Sequence, residues 1–579
     1  MPATELFPSP FASAHPAPTA NFFARSSASR PWWRDTVVYQ IYPRSFQDSN
    51  GDGIGDLPGI ISRLDYLKAL GVGTLWLSPI YASPNDDNGY DISDYDAIHP
   101  EFGTMADFDR LLAEAHARSL RVILDLVVNH TSDEHPWFVE SRSSRDNPKR
   151  DFYHWHPGRP DGSAPNNWES FFKGPAWDRD PATGEYYLHL FSRKQPDLNW
   201  THPEVRHAIY QMMHRWLRKG VDGFRMDVVN FLAKAPGFPD APAPDGAALA
   251  FGGHLYANQP GIHEHLQEMH AQVLRHYDVV SIGECHFIDH RIALDYTDPR
   301  RRELNLLFPF DLVYESDLHA LLDHVDRWHQ AYVGRGTPTI TLNNHDTPRL
   351  VSKFGDPARH RAASAKLYAT LLLTAPGVPF LYQGEELGMT NVRFDSIADY
   401  RDIEMLNRHR TLLAEGLTET EALDRLRPAC RDNARTPVQW DASPGAGFTT
   451  GTPWIGLNPN HTEINAAAQE HDPASVLAHY RRLLAFRRNS SALLEGDYVR
   501  LSTPVRSLFV FERRAPGEHL RILLNLADTE LMLAPDALPP PPAELELVLG
   551  NLTTTVLDAS RPPLRLAPWE ARVYRVLPA

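Results

Sequence analysis

Apolar positions along the chain switch repeatedly between two periods. Short β-branched and aromatic runs occur at residues 37–43, 74–77, 121–130, 221–227, 279–283, 304–310, 339–342 and 378–382. Between them stand stretches with helical spacing, such as 59–70 and 104–118. A strand turns alternate side chains to opposite faces, whereas a helix turns every third or fourth to one face, so the pattern predicts strands and helices in alternation. Eight strands separated by helices predict a (β/α)8 barrel, the TIM-barrel fold of the α/β class. Polar residues end runs three, four, five and seven at their carboxyl ends, the face on which such barrels build their sites.

Two segments interrupt the alternation. Residues 131–202, rich in Trp, Asn, Pro and Gly, are too long for an ordinary βα loop and predict a small lobe inserted after the third strand, over the barrel mouth. A second long loop follows the eighth strand and runs through Asp402-Ile403-Glu404 to Arg431. A helix over 473–488 closes the barrel, which takes in residues 31–130 and 203–490. From residue 491, short β runs between proline-rich turns predict a C-terminal antiparallel β-sandwich. No internal repeat is present.

Composition narrows the function. With 73 acidic and 57 basic residues the net charge is −16, and no basic stripe exists to track a phosphate backbone, so nucleic acid is excluded as a partner. Two cysteines, Cys285 and Cys430, are too few for a disulfide scaffold and fit a reducing compartment. Residues 1–30, rich in Pro, Ala and Ser, lack the basic start and apolar core of a signal peptide and read as a flexible extension. The longest apolar stretch, 367–382, is broken by Pro376, Gly377 and Pro379, so no membrane span is expected. A cytoplasmic protein follows as the expectation, with monomer and dimer both open.

The chemistry concentrates at strand ends. In Gly223-Phe224-Arg225-Met226-Asp227, Arg225 and Asp227 stand two residues apart on one face of a strand, and a guanidinium beside it favours the ionised carboxylate that a nucleophile needs. Glu284 ends the fifth strand and Asp346 the seventh, so three carboxyl groups converge on one barrel mouth. Glycoside hydrolysis needs one carboxylate to attack the anomeric carbon, a protonated acid to help the leaving oxygen, and charge to stabilise an oxocarbenium-like transition state. His130 and His345 stand beside them, able to hydrogen-bond sugar hydroxyls. Separately, Asp48, Asn50 and Asp52 with the Ile54 carbonyl follow the first positions of a calcium-binding loop, although Gly59 replaces the bidentate glutamate of an EF-hand. Asx turns without metal are the alternative there.

Taken in order, DLVVNH (125–130), GFRMD (223–227), GE (283–284) and NNHD (343–346) resemble the four motifs of glycoside hydrolase family 13, the α-amylase family. YQIYPRSF from Tyr39, DSNGDGIGD from Asp48, SPNDDNGYDISDY from Ser83, QPDLNW from Gln195, QGEELGMTNVRF from Gln383 and RDNARTPVQW from Arg431 bring the resemblance to its oligo-1,6-glucosidase subfamily. The resemblance implies Asp227 as nucleophile, Glu284 as general acid and base, and Asp346 as transition-state stabiliser in a retaining, exo-acting α-glucosidase of short oligosaccharides. It implies a glucose subsite drawn from Asp87, Tyr90, His130, Phe172, Phe191, Gln195, Arg225, His345 and Arg431. It also implies a structural metal at Asp48, Asn50, Asp52, Ile54 and Asp56, calcium with magnesium as the alternative. Val228, after the nucleophile, is the residue that accompanies α-1,6 cleavage in this subfamily, where threonine or alanine accompanies α-1,4.

One departure stands out. Cys285-His286-Phe287 replace the Met-Pro-Gly common after the catalytic glutamate, and the Gly-Lys-Trp segment whose lysine helps bind the leaving sugar is absent. The leaving-group side is therefore rebuilt, with Glu404 available to bind that sugar and His286 as a second candidate. α-1,4-Glucosidase and transglucosylase or sucrose-isomerase activity share the same template. A non-catalytic binding protein on this barrel would be expected to lack one of the three carboxylates, and all are present.

Overall fold

The computed structural model describes residues 30–243, 246–310, 315, 317–534, 537–540, 544–552 and 564–577. Of the flexible extension expected over residues 1–30, all but Arg30 lies outside the described residues. Arg30 itself pairs with Asp35 at 3.0 Å and Glu495 at 3.2 Å.

Eight parallel strands form one sheet: β1 (Val38–Ile41), β2 (Thr74–Leu77), β3 (Arg121–Leu126), β4 (Gly223–Met226), β5 (Val280–Cys285), β6 (Leu306–Pro309), β7 (Thr339–Thr341) and β8 (Val378–Tyr382). Their order is β6-β5-β4-β3-β2-β1-β8-β7, so the sheet curls round until β6 and β7 face each other. At that seam the Thr339 hydroxyl donates to the Leu307 carbonyl at 2.8 Å. The eight-stranded barrel expected from the alternating pattern is therefore present and nearly closed.

Period-two alternation decides which side chains reach the mouth. Trp76, Ile123, Ile282, Leu306, Phe308 and Phe380 form an apolar core inside the barrel. Tyr39, Leu75, Val122, Leu124, Phe224, Met226 and Leu381 instead pack outward with the helices. Phe224 and Met226 on the outside force Arg225 inward, and Glu284 is in phase with inward Val280 and Ile282. Register then aligns the polar members: Asp125 pairs with Arg225, and Arg225 with Ile282. Gly223 opens β4 at φ 150°, where a Cβ would lie 2.1 Å from the Val280 carbonyl, so only glycine lets β4 and β5 approach there.

The segment after β3 forms a three-stranded antiparallel sheet with Tyr186–Leu188 between Trp155–His156 and Trp177–Arg179. Trp168, Trp177, Leu188, Val228, Phe231 and Tyr256 share a cluster that ties this lobe to the loop following β4. The helix Pro203–Lys219 returns the chain to β4. It buries Val205, Ile209, Met213 and Trp216 on one face and stops at Gly220 in the left-handed conformation.

Beyond the barrel, β9 (Asp497–Arg500), β10 (Leu508–Ala515), β11 (Glu518–Asn525), β12 (Leu545–Gly550) and β13 (Ala571–Val576) form an antiparallel sheet in the order β9-β10-β11-β13-β12. Phe509, Phe511, Ile522 and Val573 face the barrel core. Leu508, Val510, Leu523 and Tyr574 face the other way, onto Leu533 and Leu566 of a separate two-stranded pair. Neither cysteine forms a disulfide. Among the described residues no helix is long and apolar enough to cross a membrane.

Candidate active site

A pocket of about 460 Å³ opens at the carboxyl ends of the strands. Asp227, Glu284 and Asp346 line it from the ends of β4, β5 and β7, together with Asp87, Tyr90, His130, Phe172, Phe191, Glu404 and Arg431. Gln195, Arg225 and His345, also expected at the glucose subsite, are not part of the lining and sit behind it, where they fix the residues that are.

Arg225 is the centre of the floor. Fully buried, its Nη1 donates to Asp125 at 2.6 Å and to Asp227 at 2.8 Å, while Nη2 donates to Glu284. The Trp76 ring lies 5.0 Å from its guanidinium. One cation cannot hold three buried carboxyls ionised, so one of them must keep a proton. Burial pushes Glu284 well above the usual carboxylate range, and Asp227 and Asp346 push it further against the opposing pull of Arg225. Asp125 is pushed up to about 7, by burial first and Asp227 second, despite Arg225. Its carboxyl is held by the Tyr90 hydroxyl at 3.0 Å and the Trp76 indole at 3.2 Å.

Asp346 has the opposite environment. Burial favours its neutral form, yet it stays well below the ordinary carboxylate range because of His345 first, then Arg431, Arg435 and Arg225. Arg435 reaches it at 3.0 Å, Arg431 at 3.3 Å and His345 Nε2 at 3.1 Å. Burial holds the His345 imidazole neutral, down at about 3, and Gln40 donates to its Nδ1 at 2.8 Å. Nε2 therefore carries the proton and donates to Asp346, which leaves the two arginines to supply the charge. The Tyr90 ring stacks on His345 with centroids 5.2 Å apart and planes 7° off parallel.

The closed end of the pocket is a second network. Arg431 binds Asp402 at 2.6 Å and lies 3.5 Å from Asp87, with its guanidinium 5.1 Å from the Phe172 ring. Asp87 is pushed up to about 7 by burial, which Arg431 and Arg435 only partly offset. Gln195 Nε2 stands 3.3 Å from Asp87 and 3.2 Å from His130, whose imidazole burial keeps neutral. At the other end, Phe171, Val228, Phe251, His286, Phe287 and Phe310 give the mouth an apolar lining. His286, the second candidate for a polar contact to the leaving group, is buried, held neutral with its pKa down at about 3, and packs 4.5 Å from Phe310. Glu404 is in the pocket and pairs with Arg408 at 2.6 Å.

Sequence reasoning missed Asp125, Asp402, Arg435 and the three mouth residues Phe171, Phe251 and Phe310. Asp125 opens DLVVNH, and its phase with Arg225 across the sheet is the signal that identifies it. Arg435 follows Arg431 by four residues, a helical spacing that turns both guanidiniums to one side.

The loop 48–56 lies away from this pocket, between β1 and the helix Leu57–Ser62. Asp48 Oδ1 accepts from the amides of Asn50 and Gly51 at 2.9 and 2.8 Å, Asn50 Oδ1 from that of Asp52 at 2.8 Å, and Asp52 Oδ1 from that of Ile54 at 2.9 Å. Asp56 caps the following helix through Gly59 at 2.6 Å and accepts from Ser49. Among the described residues, no three acidic, His or Cys side chains stand together as a metal cluster. The buried Asp48 and Asp56 carboxylates hydrogen-bond only backbone amides and hydroxyls among the described groups, and hard oxygens without a neutralising ion pair fit a hard cation. Burial raises the pKa of Asp56, and Asp48 adds to the rise.

Residues 40–496 match the α-amylase catalytic domain family. The chain is 50% identical over 561 residues to an oligo-1,6-glucosidase of Parageobacillus thermoglucosidasius, covering 94% of this chain and 99% of that one. It is 45% identical to a trehalose-6-phosphate hydrolase of Bacillus subtilis strain 168, over 94% and 98%. Among solved structures, trehalulose synthase from Pseudomonas mesoacidophila MX-45 superposes with a TM-score of 0.88 at 43% identity, covering 95% of this chain and 100% of that one. With the family matched through the whole barrel and such identity over nearly full length, the chain belongs to the α-amylase family of glycoside hydrolases.

Proposed function

We propose that the protein is a retaining, exo-acting α-glucosidase that removes single glucose units from the non-reducing ends of short α-glucosides. The observation that carries this reading is geometric: Asp227, Glu284 and Asp346 line one pocket, the first two sharing Arg225 and the third set between Arg431 and Arg435, so that burial raises Glu284 while Asp346 is held low. In the first step Asp227 forms a bond to the anomeric carbon as the bond to the leaving oxygen breaks, and Glu284 gives that oxygen its proton. The ionised Asp346 stabilises positive charge on the ring. Water then adds to the anomeric carbon, returns its proton to Glu284 and frees Asp227. The network of Arg431, Asp87, Asp402 and Phe172 at one end of the pocket supports exo action, with that end taking the non-reducing glucose.

α-1,6 Linkages, as in isomaltose, are the favoured substrates. Val228 supports this, as does the activity named for the relative at 50% identity. Val228 lines the pocket and packs in the cluster with Trp168, Phe231 and Tyr256, at φ 35°, a left-handed conformation that β-branched residues avoid. The ratio of kcat/KM for isomaltose to that for maltose is expected to exceed one. In Val228→Thr it should fall about 10-fold or more, since one methyl or hydroxyl is worth 10- to 200-fold in such a pocket. A wild-type ratio well below one, or a ratio the substitution leaves unmoved, overturns the linkage while maltose hydrolysis keeps the α-glucosidase reading. Transglucosylation is the second reading, favoured by the apolar mouth, and transfer products in the same digests measure it.

The loop at Asp48, Asn50, Asp52, Ile54 and Asp56 is proposed to hold one calcium ion. Bound there it would supply positive charge to the buried Asp48 and Asp56 carboxylates, with no part in the chemistry. Verified metal removal should lower Tm by about 5 °C, the scale of ligand stabilisation at a hundredfold excess over Kd in a large chain, and leave activity at mild temperature intact. An unmoved Tm after verified removal contradicts the site.

A further inference from the structure

We propose that a second cavity, at the amino ends of the barrel strands and opposite the catalytic mouth, binds phosphate or a phosphate monoester between arginines. The cavity has a volume of about 410 Å³ and is lined by Pro338, just before β7, and by Pro376 and Gly377, just before β8. Arg30 and Arg34 line it from the segment before β1, and Arg513 lines it from β10 of the C-terminal sheet. It shares no lining residue with the catalytic pocket.

Charge is arranged here with cations inside and carboxylates outside. Arg513, 2% exposed, donates to the carbonyls of Thr374 at 2.9 Å, Leu493 at 3.0 Å and Gly496 at 3.1 Å. Arg487, equally buried, donates to the carbonyl of Gly377 at 2.7 Å and to that of Leu373 at 2.9 Å. Among the described residues neither guanidinium is paired with a carboxylate. Arg30 pairs with Asp35 at 3.0 Å and Glu495 at 3.2 Å, and both acids are exposed, as is Asp497. Four guanidiniums thus stand against three carboxylates that water already screens. Burial lowers the pKa of Arg34, with Arg30 repelling it next, and brings Arg513 down to about 9, with Arg487 as the second cause. Buried like charge without a counterion is what an anion relieves.

Donors are also in surplus. A guanidinium carries five N–H groups, and among the described residues the buried Nε of Arg34, Arg487 and Arg513 has no acceptor. A buried donor left without an acceptor is costly, so an oxyanion brings hydrogen bonds as well as charge. The planar fork of arginine matches paired phosphate oxygens, a fit that a halide ion cannot offer. The cavity holds more than a phosphate ion, which leaves room for a small organic group on the fourth oxygen. Because Arg513 belongs to the C-terminal sheet and Pro338 and Gly377 to the barrel, the bound anion bridges the two.

The test is calorimetric titration of the full chain with inorganic phosphate and, separately, with glucose 6-phosphate, in low-salt buffer free of other oxyanions. Wild type is expected to bind inorganic phosphate with a Kd of about 0.1–1 mM, the range that two or three charge-assisted hydrogen bonds supply. Arg34→Met and Arg513→Met should each weaken binding about 10- to 100-fold, the loss of one such bond, and Arg34→Met should leave kcat/KM for 4-nitrophenyl α-glucoside unchanged. Arg34 is only half-buried, so its variant keeps the test readable if Arg513→Met does not fold. Glucose 6-phosphate binding about tenfold tighter than phosphate, with the same loss in the variants, assigns the cavity to phosphate esters. Equal or weaker binding of the ester assigns it to free phosphate. A wild type without saturable phosphate binding overturns the proposal, as does phosphate binding that Arg34→Met leaves unchanged.

Discussion

Exchanging Glu284 for glutamine is expected to lower kcat/KM on isomaltose by about 10²- to 10⁴-fold, the contribution of a positioned general acid. Glutamine keeps the shape and an oxygen to accept from Arg225, so the floor of the pocket stays assembled, but it has no proton to give. With 4-nitrophenyl α-glucoside, whose leaving group needs no proton, glucosylation survives while hydrolysis of the intermediate lacks its base. A burst of nitrophenol followed by slow turnover is the expected trace. The pH profile gives a second check. Burial first, then Asp227 and Asp346, holds the Glu284 proton to well above the ordinary carboxylate range, so activity is lost as pH rises through that raised value. For the activated substrate in the glutamine variant, that alkaline limb of kcat/KM disappears. Isomaltose hydrolysis within tenfold of wild type would remove Glu284 from the role.

Arg225→Met is expected to cost roughly 3–5 kcal/mol of stability, the scale for removing one partner from a buried ionic network. Its guanidinium, itself fully buried, holds Asp125 and Asp227 at 2.6 and 2.8 Å and reaches Glu284 besides. Without it the floor retains buried carboxyls facing one another with no cation inside the barrel core. Arg225→Lys should recover only part of the loss, because a single ammonium cannot serve three carboxyls as a planar fork does. Urea unfolding of the three proteins measures this. A loss below about 1 kcal/mol in the methionine variant would mean that the network carries little energy, the range of exposed ion pairs.

The barrel was legible in the sequence because its eight strands are short apolar runs bounded by helical periodicity. The two-residue spacing of Arg225 and Asp227 was enough to put both on one face of their strand. The same arithmetic applied across the sheet, with Phe224 and Met226 outward, also brings in Asp125, which a reading confined to one strand does not reach. The closed end was harder to read. Arg435 meets Asp346 across 89 residues, and Arg431 meets Asp402 across 29, a span that holds the helices Ile403–Ala414 and Glu419–Leu426, so the pairing depends on how separate elements pack and not on any one period. Resemblance supplied Arg431 and local pattern supplied neither partner. Gln195, Arg225 and His345 were expected at the glucose subsite, and they stand one layer back because each is drawn into hydrogen bonds with the residues in front. The left-handed turn at Val228 had no signal, since a β-branched residue is the last choice for that conformation.

The central claim is that glucose passes through a covalent bond to Asp227, with two displacements that together preserve configuration. Proton NMR of the glucose released in the first seconds from 4-nitrophenyl α-glucoside, before mutarotation, tests it most directly, because there all the glucose comes from the transferred ring. The account predicts α-glucose as the first product, and β-glucose would contradict it.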